Sequence, residues 1–380
     1  MTYLTINGRV DIERVVYWRK DRGPTSPADV FLGIASSRYS PGVRELTCRE
    51  AMSGSFQQAA EDLKRVGQVD ISSERVRRIV EAEGRRVLQV QKDRQLDPGW
   101  TAADCRENPD SASCVITGAD GVKVPLITEA EKQKRREHRK NGRKASSSKR
   151  RRGRKRKGSD QAYKEFKIVA FYDPSHERQY AVGTSGDHQV LGRLMRREAG
   201  RLRLDQADVS YSVSDGAEWI RKQYQSQLPM LSANVLDYYH LREHVILAAR
   251  GVFGEDTPEG RAWRKAMCGC VFEKGPVELL GRIRERRQSL RSPGKRKALT
   301  QLENYIAPRL DMLNYPEFRA KGYEIGSGPT ESFCKTLTRR LKGSGMRWDK
   351  LNAEAMMALA AVRQSHLWQA YWNLQKASAA

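Results

Sequence analysis

The feature that most constrains the fold is the order of short apolar segments between residues 113 and 237. Five of them have the composition and length of β-strands, at 113–117 running to about 126, 165–172, 179–184, 208–214 and 233–237. Helical spacing of apolar residues precedes each of the last two, at 188–204 and 217–228. Three successive strands followed by two helix–strand units predict an α/β domain with a mixed sheet.

The same order is the one expected of a ribonuclease-H-like core, which we therefore predict at 113–237. Residues 238–322 read as almost entirely helical, and this pattern predicts an all-helical insertion after the fifth strand. A Gly-rich segment and further helical patterns follow in residues 323–380. The predicted fold class is thus α/β, with a ribonuclease-H-like core that a helical insertion interrupts.

Two smaller regions precede the core. In residues 1–50, alternation of apolar and polar residues around Asn7-Gly8 predicts a short β-rich lead with a hairpin. Residues 51–100 contain two helical patterns separated at Gly67, which predict a helix-turn-helix-like DNA-binding region. A basic, solvated helical hairpin is the alternative. The arginines that the second helix would present to phosphates or base edges are Arg75, Arg77 and Arg78.

The net charge of +24 restricts the partners that this chain can have. Such a field attracts polyanions, either nucleic acid or an anionic membrane face. The sequence has no apolar run near the ~20 residues of a membrane span and no signal-peptide pattern at Met1, which favours nucleic acid. The six cysteines form no CxxC pair, so we expect reduced thiols in a cytoplasmic protein.

Positive charge is densest between Lys132 and Lys157, where sixteen Lys or Arg residues accompany one acid, Glu137. Gly and Ser are interspersed and almost nothing is apolar, so this segment cannot form a core. We predict a flexible basic loop at 130–160 that follows DNA backbone through counterion release. A solubilising or localisation-type basic run is the alternative.

Three acidic residues stand in contexts suited to a metal site. Asp120 follows an apolar run and precedes Gly121, Asp215 ends a strand-like run, and Glu331 lies in the Gly-rich segment. Clustered carboxylates can hold two divalent cations, which offset charge on the attacking and leaving oxygens of a phosphodiester. Mg²⁺, or Mn²⁺, suits such oxygen ligands.

Each of these acids also has a plain structural interpretation. Asp120 fits an Asp-Gly turn between two strands, and Glu331 fits a surface pair with Lys335 on one helix. Asp215 shares the parity of the buried residues of its strand, so either the strand ends before it or its carboxylate is partly buried. Turn or surface contexts account for four competing acids, Asp173, Asp205, Asp208 and Glu324.

His240 and His244 belong to a sequence that matches the H-x-x-E-H pattern of inverted zinc proteases. The pattern is short, and a protease has no use for a charge of +24, so we discount it. Asp237 and His240 fit better as a pair that supports the metal site, with Asp237 orienting the imidazole.

The segments TGADGVKV, SDGAEWI, LDYYHLREH and GSGPTESFCKTLTRRLKGSGMRW resemble the core of DDE transposases of bacterial insertion sequences, closest to the ISKra group. The resemblance covers about residues 31–372. It implies that Asp120, Asp215 and Glu331 are the metal-binding acids, and that Asp237 and His240 form the family's D-x-x-H signature. The chain departs from relatives in lacking cysteines near its N-terminus, and its basic run is expanded.

The resemblance implies a nucleoid-associated enzyme that binds terminal inverted repeats, cuts phosphodiesters and joins the 3′-hydroxyl to target DNA, as a homodimer or larger assembly. The residues that we expect to contact DNA near the cut are Lys335, Arg339, Lys342 and Trp348. Alternatives are a catalytically inactive, domesticated DNA-binding regulator, another ribonuclease-H-like nuclease such as a resolvase, and a structural basic protein.

Overall fold

The computed structural model describes residues 2–21, 23–31, 37–142, 159–343 and 346–377. The predicted basic loop at 130–160 falls only partly within them, because residues 143–158 lie outside the described ranges. The described residues at the start of this predicted loop are helical, because they belong to the helix Glu129–Gly142. Among the described residues, no helix is both long enough and apolar enough to cross a bilayer.

The chain forms nine strands and fifteen α-helices in these ranges. The strands are β1 Thr2–Thr5, β2 Gly8–Asp11, β3 Tyr17–Arg19, β4 Gly23–Thr25, β5 Cys114–Val124, β6 Lys164–Tyr172, β7 Gln179–Thr184, β8 Val209–Ser214 and β9 Ala233–Leu236. The helices are α1 Pro27–Phe31, α2 Pro41–Ala51, α3 Phe56–Arg65, α4 Ser73–Lys92, α5 Glu129–Gly142, α6 His188–Arg201, α7 Glu218–Gln227, α8 Tyr238–Phe253, α9 Pro258–Glu273, α10 Pro276–Ser289, α11 Pro293–Ile306, α12 Tyr315–Ala320, α13 Gly328–Lys342, α14 Lys350–Gln364 and α15 Trp368–Ala377.

A five-stranded mixed sheet in the order β7-β6-β5-β8-β9 forms the centre of the molecule. Strands β5, β6 and β7 pair antiparallel, whereas β8 and β9 run parallel to β5. The two parallel strands follow helices α6 and α7, as crossover connections require. Strand β6 is almost continuously buried, which fits its central position and its apolar sequence FKIVAFY. The predicted α/β class is thus confirmed at the level of a mixed sheet with many helices.

Helices from both ends of the chain cover this sheet. Helix α13 packs against β5 and β6, and α14 packs against β7, α13 and α4. The N-terminal helices α2, α3 and α4 pack on one another, so the region predicted as helix-turn-helix-like is joined to the core through α4 and α14. The segment between β9 and α13 consists of helices α8 to α12 and one 3₁₀ helix.

Close packing between α13 and the sheet depends on a glycine in β5. A Cβ atom built on Gly118 would lie 1.7 Å from Oγ1 of Thr330, which is itself buried at the start of α13. That distance is far below van der Waals contact, so the helix can lie this close to the strand only because position 118 has no side chain.

We expect Gly118→Ala to destabilise the protein by about 1–3 kcal/mol, because α13 must shift away from β5. Chemical denaturation measures the free energy of unfolding. Gly281→Ala, in α10, is the matched control, since a Cβ there would meet no atom within 4 Å and alanine favours a helix. Equal stability of the two variants would contradict this account of the packing.

Candidate metal centre

Asp120 lies within β5, two residues after Gly118. The two residues therefore share one face of the strand, the face that packs against α13. The strand continues through Asp120-Gly121 instead of turning, because Asp120 is paired with Ile168 of β6. The carboxylate accepts a hydrogen bond from the backbone N–H of Gly121 at 2.5 Å. Asp120 is therefore held on a central strand, with its side chain partly buried.

The electrostatic surroundings of Asp120 disfavour its ionised form. Burial raises the pKa of Asp120, and the negative charge of Asp215 raises it further, while the Gly121 N–H and His240 act in the opposite direction. A carboxylate whose ionised form is disfavoured by burial and by a second carboxylate gains stability from a nearby cation. The carboxylate of Asp215 is thus near enough to Asp120 for its charge to act on it.

Asp215 follows the last residue of β8, Ser214, so the strand ends directly before it. Its Oδ1 accepts a hydrogen bond from the N–H of Ala217 at 2.9 Å, which fixes the turn into α7. Gly216 has a φ of 73°, a left-handed conformation that glycine adopts without strain. Asp215 is consequently placed at the carboxyl end of a parallel strand, the edge where α/β sheets bind ligands.

Glu331 lies in the first turn of α13, and its side chain is 60% exposed. Oε1 of Glu331 is 3.9 Å from Nε2 of His240 and 3.5 Å from Oγ of Ser327. The side chain therefore points towards α8, whereas the plain interpretation of the sequence paired it with Lys335.

Asp237 is buried and joins the start of α8 to the start of α13. One carboxylate oxygen accepts from the backbone N–H groups of Tyr239, at 2.6 Å, and His240, at 3.3 Å. The other accepts from the N–H of Ser327, at 2.7 Å, and from its hydroxyl. Asp237 is only 1% exposed, so this carboxylate fixes the relative positions of the two helices that carry His240 and Glu331.

Among the described residues, one group of three potential metal ligands has its ligand atoms within 4.8 Å of one another, namely Asp237, His240 and Glu331. Both oxygens of Asp237 already accept two hydrogen bonds each, which uses the capacity of a carboxylate. We therefore interpret Asp237 as a support for the site and not as a ligand. Glu331 has two long polar contacts, to Ser327 and His240, and its side chain is 60% exposed, so it is accessible to a cation.

Asp120 and Glu331 line the same groove, which has a volume of about 420 Å³. The buried thiol of Cys334 also lines the groove, and burial, followed by the negative charges of Asp120 and Glu331, raises its pKa above that of an ordinary thiol. Sequence reasoning missed Cys334, although it follows Glu331 by three residues and so shares its helix face. Four basic residues complete the lining, namely Lys123, Lys335, Arg339 and Lys342.

The expected DNA-contacting residues divide into two sets. Lys335, Arg339 and Lys342 are exposed on successive turns of α13. They line the groove that contains Asp120 and Glu331, which we call the acidic groove. Trp348 differs, because it is 4% exposed and its ring packs against Phe56. Its indole N–H donates to the backbone oxygen of Arg340 at 2.8 Å. Trp348 therefore belongs to the core in this conformation and not to the surface beside the acids.

The three arginines of α4 also differ from one another. Arg75 and Arg78 are exposed, and Arg78 is 3.1 Å from Glu74. Arg77 forms ion pairs of 2.6 Å with both Glu74 and Glu81, so its charge is largely compensated. Arg75 and Arg78 are the better placed of the three for contact with phosphates.

The two imidazoles of the H-x-x-E-H sequence have different surroundings. The ring of His244 stacks on Tyr305 at 3.6 Å between centroids, and burial lowers its pKa. His240 lies beside Glu331. Of these two histidines, His240 belongs to the group of described residues whose ligand atoms converge.

We expect Asp120→Asn to raise the melting temperature by about 1–3 °C at pH 7–8 without divalent cations, because it removes a carboxylate that folding disfavours. A raised carboxyl pKa costs stability above that pKa and costs nothing below the unfolded value near ~4. The gain should therefore shrink as the pH falls. Differential scanning fluorimetry from pH 5 to 8 measures it, and a lower melting temperature at pH 8 would contradict the electrostatic interpretation.

The donor set fits a hard divalent cation. Asp120, Asp215 and Glu331 offer carboxylate oxygens, the ligands that Mg²⁺ and Mn²⁺ prefer. Asp120 and Glu331 line one groove, while His240 is the imidazole whose ligand atoms converge with those of Glu331 and Asp237.

Comparisons with known proteins give limited likenesses. No protein-family profile matches the chain. A protein of Streptococcus gallolyticus, "UPF0236 protein in vanSb 3'region", is 26% identical over 138 residues, which span 36% of this chain and 29% of that relative. The solved "Drosophila P element transposase strand transfer complex" aligns over 89% of this chain and 82% of its own, with 12% identity and a TM-score of 0.28. Neither protein is described as a member of the ISKra group, so these matches do not support that narrower resemblance.

Proposed function

We propose that this protein is a DNA transposase that cleaves and transfers DNA strands with two divalent cations, Mg²⁺ or Mn²⁺. The observation that carries the proposal is the groove in which Asp120 and Glu331 face a row of exposed bases on α13. Asp215 belongs to the same electrostatic cluster, because its charge raises the pKa of Asp120. Acids that bind cations and bases that bind phosphates are the two components that phosphodiester cleavage needs.

The order of the sheet supports a ribonuclease-H-like core. Numbered within the sheet, the strands lie in the order 3-2-1-4-5, with strand 2 antiparallel to its neighbours. The three acids come from the first strand, from the end of the fourth, and from the helix after the helical segment. This is the arrangement that the resemblance to DDE transposases implies.

Each side chain of the site has a defined task in this proposal. Asp120 and Asp215 would hold the cations, and Glu331 would complete the ligand set. When bound, the cations activate a water or a 3′-hydroxyl and offset charge on the leaving oxygen. Lys335, Arg339 and Lys342 orient the DNA by binding phosphates on both sides of the reacting bond.

Helices α3 and α4 are proposed to bind the terminal inverted repeats of the element. Their helix–turn–helix order and the exposed Arg75 and Arg78 suit contact with duplex DNA. Strand transfer requires two ends held together, so the proposed active form on DNA is a homodimer or larger assembly. The basic run at 132–157 would add contacts to the DNA backbone.

The test is an assay of the purified protein on DNA that carries the inverted repeats flanking its gene. Magnesium-dependent nicking at the repeat ends, followed by joining of the 3′-hydroxyl to target DNA, is the expected result. Cleavage without joining would identify a resolvase-type nuclease. Sequence-specific binding without any cleavage would identify a regulator, and either outcome would overturn the proposal.

A further inference from the structure

A second groove lies on the helical insertion, between α8 and α9, and it shares no lining residue with the groove of Asp120 and Glu331. It has a volume of about 480 Å³. Its lining contains four cationic side chains and no carboxylate, and consists of Tyr238, Arg242, Arg261, Arg264, Lys265, Cys268, Gly269 and Phe272. A concave site of this composition is suited to an anion.

Most of the positive charge in this groove is uncompensated. Arg261 is paired with Asp256 at 2.8 Å, but Arg242, Arg264 and Lys265 have no ion pair within the described part of the chain. Some arginines elsewhere in the insertion are paired, as Arg282 with Glu278 at 2.9 Å and Arg284 with Glu303 at 2.7 Å illustrate. Like charges that converge without counter-charges raise the energy of the folded state, and a bound polyanion removes this cost.

The floor of the groove is aromatic. The rings of Tyr238 and Phe272 lie 4.6 Å apart between centroids, and both are partly exposed. The buried Tyr315 contacts both rings, and the guanidinium of Arg319 lies over the Phe272 ring at 5.4 Å from its centroid. Cationic side chains around partly exposed rings are typical of sites for single-stranded nucleic acid, where phosphates bind the charges and bases stack on the rings. A site for inorganic anions alone would have no need of the rings.

The groove adjoins the candidate metal centre through helix α8. Tyr238 follows the buried Asp237 directly, and Arg242 lies two residues, or about 3 Å along the axis, after His240. Two residues correspond to about 200° of rotation, so the groove and His240 lie on opposite sides of the same helix. A DNA strand that passes from the candidate metal centre to the groove would cross the first turn of α8, where Tyr239 is exposed.

We propose that this groove binds an unpaired stretch of the DNA strand that leaves the metal centre. Arg242, Arg264 and Lys265 bind its phosphates, and the rings of Tyr238 and Phe272 take a base. The inference rests on the proposed function, since it assigns a part of the same substrate. It gives the helical insertion a role in holding DNA that has lost its pairing near the cut.

The test compares two fluorescent DNA probes by anisotropy in EDTA, so that cleavage plays no part. One probe is a blunt duplex and the other is the same duplex with a single-stranded overhang. We expect the double variant Arg242→Gln/Arg264→Gln to bind the overhang probe about 10-fold or more weakly, with the blunt duplex changed less than about 2-fold. The salt dependence of overhang binding should fall by about 1.4 in log–log slope, since each lost phosphate contact accounts for about 0.7.

Two further variants make the result specific. Arg282→Gln/Arg284→Gln removes the same charge from paired positions of the insertion and should leave both probes unaffected. Phe272→Leu should weaken overhang binding without changing the salt slope, because it removes a ring and no charge. Melting curves confirm that each variant is folded.

The outcomes separate the two hypotheses. Equal losses for both probes, or equal losses in the groove variant and the control, would overturn the groove assignment while leaving the proposed function in place. If the wild-type protein binds neither probe, the proposed function itself fails.

Discussion

Asp120→Asn, Asp215→Asn and Glu331→Gln are each expected to reduce magnesium-dependent DNA cleavage by at least about 1,000-fold while changing DNA affinity little. Removal of one metal-binding carboxylate takes away several kcal/mol of transition-state stabilisation, and about 4 kcal/mol corresponds to this factor. DNA affinity should persist because it comes from exposed bases such as Lys335 and Arg339. Single-turnover cleavage and anisotropy, measured on the same DNA, separate the two quantities.

Glu324→Gln is the matched control for these variants. Glu324 lies in the same Gly-rich segment, and burial raises its pKa as it does for Asp120. Its carboxylate, however, contacts His176 at 3.1 Å and does not line the acidic groove. We expect cleavage within about 3-fold of the wild type. Substantial cleavage by any of the three groove variants, or a loss in Glu324→Gln as large as theirs, would refute the assignment of that residue.

The pattern of losses also distinguishes two sets of ligands. If Asp237, His240 and Glu331 held the cation, Asp120→Asn would leave most of the cleavage intact. That set would require Asp237 to give up hydrogen bonds to Ser327 and to the first turn of α8. Asp120 and Asp215 could bind a cation without losing hydrogen bonds of this kind, since each carboxylate accepts one backbone hydrogen bond. Their carboxylates thus keep more free lone pairs for a cation than Asp237 does, whereas the described residues whose ligand atoms converge within 4.8 Å are Asp237, His240 and Glu331.

The strands of the large sheet could be predicted from the sequence because each is a short apolar segment of typical strand length. All five predicted strand segments correspond to β5–β9, and the continuous apolar run of β6 made its burial predictable. Sequence alone left Asp120-Gly121 open as a turn, since Asp-Gly is a common turn pair. Strand β5 continues through this pair because both residues are paired with β6. Since β6 follows the long basic segment in the sequence, the residues around Asp120 do not indicate this pairing.

Two of the residues expected to contact DNA have partners of different kinds in the structure. Trp348 was expected to contact DNA, but Phe56 and Arg340, from other parts of the chain, cover its ring. Arg77 was expected to face DNA, but acids on its own helix compensate it. Of the two, only the pairing of Arg77 was readable from the sequence, as i,i+3 and i,i+4 neighbours.

Arg340 shows that the region proposed to bind DNA ends shares its core with the helix that carries Glu331. This guanidinium is 5% exposed, donates to the backbone oxygen of Ala51 at 2.6 Å and lies over the rings of Phe56 and Trp348. Burial lowers the pKa of Arg340 to about 10. Helix α13 thus carries Glu331 at its start and contacts the N-terminal helices through Arg340 towards its end.

The second large effect is expected from Asp237→Ala, which should destabilise the protein by about 3–5 kcal/mol. The substitution removes the N-cap of α8, which is worth about 0.5–2 kcal/mol. It also leaves the buried N–H and hydroxyl of Ser327 without their acceptor, at about 1–3 kcal/mol for each buried group. The free energy of unfolding in urea gives the measurement.

Asp187→Ala supplies the comparison that isolates the contribution of burial. Asp187 caps α6 through a single hydrogen bond from the N–H of Val190 and is exposed, so we expect a cost of only about 1 kcal/mol. Asp237→Asn keeps an acceptor oxygen and should lie between the two. If Asp237→Ala costs no more than Asp187→Ala, then Asp237 does not hold α8 and α13 together. Its carboxylate would in that case be free to bind a cation with His240 and Glu331, which reopens the second ligand set.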